Sequence, residues 1–186
     1  YGIGTKFDNL IMKLQDIKYI VIDDIQRIHN CHYLLNQNFG ITSNHYKESS
    51  VNHFFLGPTF SLLDEKFNLL RKSNKKRKLS QVRNILVFFG SNDPTQEIKK
   101  VLSAIKETQT NKQFKIIIKQ DNDNFKEIKE KSELLKNVEL HPFSENFANI
   151  MQSCEVAFGA SGSTNWERCC LGIPTYLVTV AENQKN

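Results

Sequence analysis

Residues 159–174 read Gly-Ala-Ser-Gly-Ser-Thr-Asn-Trp-Glu-Arg-Cys-Cys-Leu-Gly-Ile-Pro. Small residues in this order allow a backbone to approach a ligand closely, and Gly159 and Gly162 can take φ > 0 where a side chain would clash. Thr164 and Glu167 have the Thr-x-x-Glu spacing of a capping box, which predicts that a helix starts there. Gly172 suits the position just past the helix end, and Pro174 blocks continuation. A Gly/Ser turn opening a helix presents free backbone N–H groups, a cradle for phosphate oxygens. Most such turns in α/β proteins bind nothing, so both readings stand. Glu167 likewise either closes the capping box or offers a carboxylate to a ligand. Trp166, the single tryptophan, reads as a packing residue.

These residues need a scaffold. An apolar run at 155–158 before them and another at 175–180 after them predict flanking strands, giving strand, turn, short helix, strand. Upstream, the second half alternates in the same way. Strands are expected at 84–89, 114–119 and 138–141, and helices after Asp93-Pro94, near 124–136 and over 145–153. Asp93 is read as N-cap and Pro94 as the first helical residue. This β-α-β-α-β-α-β-α-β order is a Rossmann-like half. The strand at 84–89 runs into Gly90-Ser91-Asn92-Asp93, a second small-residue loop that a parallel sheet would place on the same edge as the first. Neither loop is a P-loop, because Gly-Lys-Ser/Thr is absent, and neither matches G-x-G-x-x-G. ATPase and dinucleotide readings are therefore disfavoured.

The first half is less regular. Residues 8–14 have helical spacing. Residues 18–24 read as a buried strand ending in Asp23-Asp24, and 32–38 as the next. Asp23, Asp24, Asn36 and Asn38 would fall at strand ends, where ligands bind, or serve only as turn and helix caps. Gly57-Pro58 marks a turn. The run 71–78 carries six basic residues in eight positions with no aromatic among them. It reads as a solvated connector rather than a nucleic-acid site. The expected organisation is 1–70 as part of one Rossmann-like domain, 71–83 as connector and 84–186 as a ligand-binding Rossmann-like domain lacking its final elements.

Composition sets the outer limits. The 186 residues suffice for one large or two small domains, and no apolar run approaches a membrane span. The start, Tyr-Gly-Ile-Gly, has no Met and no signal-peptide character, as expected of a fragment. The four cysteines form no C-x-x-C pair, which excludes a zinc ribbon, argues against a disulfide framework and suits a reducing cytoplasm.

With these pieces in place, the chain resembles the UDP-2,4-diacetamido-2,4,6-trideoxy-β-L-altropyranose hydrolases of pseudaminic-acid biosynthesis. That family shares the two-domain GT-B fold of the peptidoglycan N-acetylglucosaminyltransferases. The resemblance rests on Ile22-Asp23-Asp24, Leu35-Asn36-Gln37-Asn38, Leu56-Gly57-Pro58 and Phe89-Gly90 with Asp93-Pro94. It continues through residues 160–168, Leu171-Gly172-Ile173-Pro174 and Ala181-Glu182-Asn183-Gln184.

It implies an α/β, GT-B-like protein of two Rossmann-like halves, the N-terminal one incomplete, acting on a UDP-sugar. Glu167 would hold the ribose hydroxyls. Gly162, Ser163 and Thr164 would face the diphosphate, with Gly90 and Ser91 opposite. Residues 142–146 would meet the uracil, and Asn183 and Gln184 the sugar and phosphate. Ser91 departs from the family's usual second glycine, and Asp64 stands where Arg is commoner. The family's catalytic His lies in a Gly-rich turn that this chain lacks. None of the five histidines sits in such a turn, so no residue is assigned catalysis.

The resemblance implies no metal or other cofactor, no nucleic-acid partner, and either hydrolysis or glycosyl transfer. A non-catalytic nucleotide-sugar module is the third reading. The oligomeric state is left open.

Overall fold

The computed structural model describes residues 4–14, 16–73, 77 and 79–181. The chain divides into two units, residues 1–62 and 63–185.

The first unit holds a helix, α1 (Thr5–Ile11), and a three-stranded parallel sheet, β1 (Ile20–Ile22), β2 (Asn30–Asn36) and β3 (Ser50–Leu56), in that order. Its small core gathers Val21, Cys31, Leu34 and Tyr46, with Phe54 and Leu56 against them. The strand β3 has no counterpart in the sequence reading. Its segment, Ser-Val-Asn-His-Phe-Phe-Leu, is too polar in its first half to show a clean alternation.

A polar chain runs through this core. The Asp23 carboxylate accepts from the Tyr46 hydroxyl at 2.9 Å and from the backbone N–H groups of Ile25 and Arg27. Tyr46 in turn accepts from Asn36 Nδ2 at 2.7 Å, and Asn36 Oδ1 accepts from Asn38 N. His29, 2% exposed, lies between Asp8 (3.1 Å) and Asp23 (3.6 Å). Burial raises the Asp23 carboxyl, but the hydrogen bonds from Tyr46 and the backbone outweigh it and the net shift is downward. Asp23 and Asn36 therefore act as turn and core ties, the plainer of their two readings.

The second unit is a doubly wound domain. Five parallel strands lie in the order β6-β5-β4-β7-β8: β4 (Asn84–Phe88), β5 (Gln113–Ile118), β6 (Val138–Pro142), β7 (Val156–Ala160) and β8 (Thr175–Val178). Side-chain alternation along β4 assigns the two faces. Ile85, Val87 and Phe89 meet Ile98, Leu102 and Ile105 of α3 (Glu97–Thr108) and Ile128 of α4 (Phe125–Glu133). Leu86 and Phe88 point the other way. There they join Phe67 of α2 (Glu65–Lys72), Phe147, Ala148, Ile150 and Met151 of α5 (Phe147–Gln152), and Leu171 after α6 (Thr164–Cys170). Central strands buried on both faces explain the unbroken apolar runs at 85–89 and 116–118. No helix among the described residues is long and apolar enough to cross a membrane.

Two local expectations change. Asp93 does not open α3 directly: it sits at φ 41°, and α3 begins at Glu97 after Gln96, also left-handed. The Asp93 carboxylate instead reaches across the turn to accept from Glu97 N and Ile98 N, each at 2.9 Å. The second change is Arg77, expected in a solvated connector. Its guanidinium is docked, with Nε donating to Cys154 O (3.1 Å), Nη2 to Gln152 O (3.2 Å) and Nη1 to Leu171 O. One cation thereby closes the carbonyl ends of α5 and α6, where the helix dipoles are negative. Lys75, Lys76 and Lys78 lie outside the described residues.

Candidate functional site

Strand order reverses once in the second unit. From β4 the chain steps outward to β5 and β6, then returns to the opposite side of β4 as β7. Loops leaving the carboxyl ends of β4 and β7 diverge at such a point and leave a crevice between them. They are the two Gly/Ser segments. The register pairs Phe88 with Gly159, so Gly90-Ser91 and Ser161-Gly162-Ser163 emerge side by side.

On the β4 side, Gly90 has φ 91°, a conformation costly for any other residue. Ser91 is half-buried, and Asn122 fixes the loop by donating to Asn92 O at 2.7 Å. On the β7 side, Ser161 N bonds Val178 O at 3.2 Å. Asn165 N then turns back to Gly162 O and Trp166 N to Ser163 O. The first N–H groups of a helix have no partner inside it, so those of Gly162, Ser163 and Thr164 stand ahead of the ladder.

The expected capping box is not formed. Helix α6 starts one residue earlier than the Thr-x-x-Glu spacing implies: Ser163 is the N-cap, in helical conformation and without a side-chain cap bond. Thr164 is then the first helical residue and Glu167 the fourth, one turn in and out of reach of a cap. Glu167 is half-buried, and burial pushes its carboxyl up, with Arg168 and Lys66 pulling the other way. A partly desolvated carboxylate without a capping role is a candidate acceptor for hydroxyl donors.

Gly159 and Gly162 do not take positive φ; among the described glycines of this unit, Gly90 and Gly172 do. Gly159 is required for space instead. A Cβ there would stand 2.6 Å from Arg168 Nη1 and 3.0 Å from Phe88 O. Gly172, at φ 63°, ends α6 as expected.

The segment 142–146 leaves β6 at the same carboxyl edge. Phe143 stacks on Phe88 at 5.8 Å and meets Phe147 at 5.0 Å, which fixes the loop. The carboxyl edge between β4 and β7 thus carries Gly90, Ser91, Gly162, Ser163 and Thr164, with Glu167 one turn along α6. Asn183 and Gln184 lie outside the described residues. Sequence reasoning gave no role to Arg168, which is fully buried. The available signal was a charge on the face of a short helix shared with Leu171, after a glycine inside an apolar strand.

Comparison with known proteins agrees with this fold. The chain is 25% identical over 130 residues to spore coat polysaccharide biosynthesis protein SpsG of Bacillus subtilis, covering 69% of this chain and 38% of that one. It is 25% identical over 171 residues to the UDP-2,4-diacetamido-2,4,6-trideoxy-β-L-altropyranose hydrolase of Campylobacter jejuni, covering 89% of this chain and 59% of that one. The chain therefore spans less than two thirds of either relative's length. The crystal structure of MurG from Acinetobacter baumannii superposes with a TM-score of 0.57 at 15% identity, over 94% of this chain and 50% of that one, and shows the GT-B fold. The model of the lipid-A-disaccharide synthetase family matches residues 26–181, and the chain belongs to that family.

Proposed function

We propose that the second unit binds the UDP portion of a UDP-sugar and that the whole protein cleaves the sugar–diphosphate bond. The observation that carries this is the pairing of the two Gly/Ser loops at the single switch point of the sheet, with the uncapped Glu167 beside them. In this reading Glu167 accepts the ribose hydroxyls, while Gly162, Ser163, Thr164, Gly90 and Ser91 surround the diphosphate. Asn183 and Gln184 reach the sugar and phosphate. Residues 142–146 line the base through backbone atoms.

Water attacks the anomeric carbon, and the electron pair of the breaking C–O bond leaves on the β-phosphate. Preorganised N–H donors favour that developing charge over its ground state. The base that activates the water is assigned to no residue of this chain. The sugar taken is a 2,4-diacetamido-2,4,6-trideoxyhexose of pseudaminic-acid type, by likeness to the Campylobacter jejuni hydrolase.

The family match favours a second reading, glycosyl transfer, in which a sugar hydroxyl replaces water over the same UDP site. The full-length protein, incubated with the UDP-sugar in ¹⁸O-water and no acceptor, separates them. Release of UDP with label in the free sugar supports hydrolysis. Release only after a glycan or lipid-linked sugar is added supports transfer. If UDP and UDP-sugar fail to bind, both readings fall.

A further inference from the structure

Arg168 is fully buried. Its Nη2 donates to Ala160 O, while Nε and Nη1 have no hydrogen-bond partner among the described residues. Position 168 shares the inward face of α6 with Leu171, where an apolar side chain would be the inexpensive choice. A cation buried without an anion is among the costliest arrangements a fold can hold. Room has nevertheless been made for it: the guanidinium lies against Gly159, where any Cβ would come within 2.6 Å of Nη1 and 2.8 Å of Cζ. Gly159 and Ala160 are the last residues of β7, and the strand runs directly into the Ser161-Gly162-Ser163 turn. Glu167, the nearest carboxylate in sequence, forms no ion pair with it, and burial pushes the guanidinium down to about 10. It stays charged at neutral pH.

We infer that Arg168 is a positioning residue for an anionic ligand of the diphosphate class, lending positive charge from beneath the 161–163 turn to phosphates held on its other side. This rests on the nucleotide reading above. The guanidinium lies behind the backbone, so it acts through the field and through its hold on Ala160 O rather than by contact. In a low-dielectric site such a charge is only weakly screened, and the ligand supplies the anion the fold omits.

The test is calorimetry on the full-length protein with uridine, UMP and UDP, alongside thermal melting, for Arg168→Met and Arg168→Lys. In Arg168→Met the loss should grow with ligand charge. Uridine should stay within about twofold, and UDP should weaken about tenfold, the size expected of one unit charge acting across a partly screened gap. The melting temperature should hold or rise, because an unpaired buried cation has been removed. Arg168→Lys, which keeps the charge, should keep most of the UDP preference over uridine.

A Met variant that binds UDP as the parent does, or that loses uridine and UDP by the same factor, overturns the inference. If the Met variant does not fold, the lysine variant decides: loss of its UDP preference overturns the inference and retention supports it. A parent that binds uridine and UDP equally overturns the inference alone. A parent that binds no uridine nucleotide overturns the nucleotide reading itself.

Discussion

Replacing Arg77 by Ala should destabilise the second unit strongly, although its neighbours in sequence suggest a dispensable charge run. The guanidinium bonds the carbonyls of Gln152, Cys154 and Leu171, with Gly172 O at 3.4 Å. Each of the three shorter bonds contributes roughly 1 kcal/mol net, and a cation at each of two helix C-termini adds about 0.5 kcal/mol. Opposing this is the dehydration of the guanidinium, visible as a downward shift caused by burial; a discount of about 1 kcal/mol is reasonable for a half-buried group. The expected loss is about 3 kcal/mol. For a unit of this size that corresponds to a melting point lower by roughly 10 °C. Arg77→Lys should recover less than half, since an ammonium cannot span three carbonyls on two helices. Arg71→Ala, at an exposed position on α2, is the control and should change stability by no more than about 0.5 kcal/mol. The assay is urea unfolding followed by circular dichroism, with the midpoint urea concentration compared at constant m. If Arg77→Ala and Arg71→Ala prove equally mild, the clamp between α5 and α6 does not exist in solution.

Glu167→Gln should weaken UDP binding by about tenfold to a hundredfold with little change in melting temperature, since one acceptor of a charge-assisted pair becomes a donor; equal binding of UDP and 2′,3′-dideoxy-UDP by the parent would refute the ribose role. Because burial raises the Glu167 carboxyl, UDP affinity should fall on acidification at a pH above the ordinary glutamate range near 4.3, and the Gln variant should lack that step in a calorimetric pH series. The Asp23 carboxyl is lowered in the fold, so its contribution is complete above about pH 3.9 and is lost as pH falls through the lower folded value. Asp23→Asn should flatten that acid limb in an unfolding titration. Gly159→Ala should cost roughly 1–3 kcal/mol by overpacking, and a double-mutant cycle with Arg168→Met should show most of that cost vanishing, because the two closest atoms met belong to the Arg168 guanidinium.

The sequence alone determined the α/β alternation of the second half. Apolar runs such as 85–89 and 116–118 are buried on both faces, and they are long enough to read against polar helices. It also placed Gly90 in a loop and Gly172 past a helix end, where both take positive φ, but the same reasoning misassigned Gly159 and Gly162, which do not. The first half was less legible, and β3 was missed because its pairing with β2, not its own pattern, makes it a strand.

Tertiary structure decided what local spacing left open. Thr164 and Glu167 have the right interval for a capping box, but α6 starts at Thr164 with Ser163 as N-cap, so the box does not form. From sequence, Arg77 is expected in solvent and Arg168 is given no role. One closes two helix ends and the other lies buried against a glycine, because each depends on backbone brought close from another part of the chain. Which loops share a crevice was likewise set by strand order. Only the return of β7 to the far side of β4 puts residues 90–91 and 161–163 next to each other, and no local pattern encodes that step.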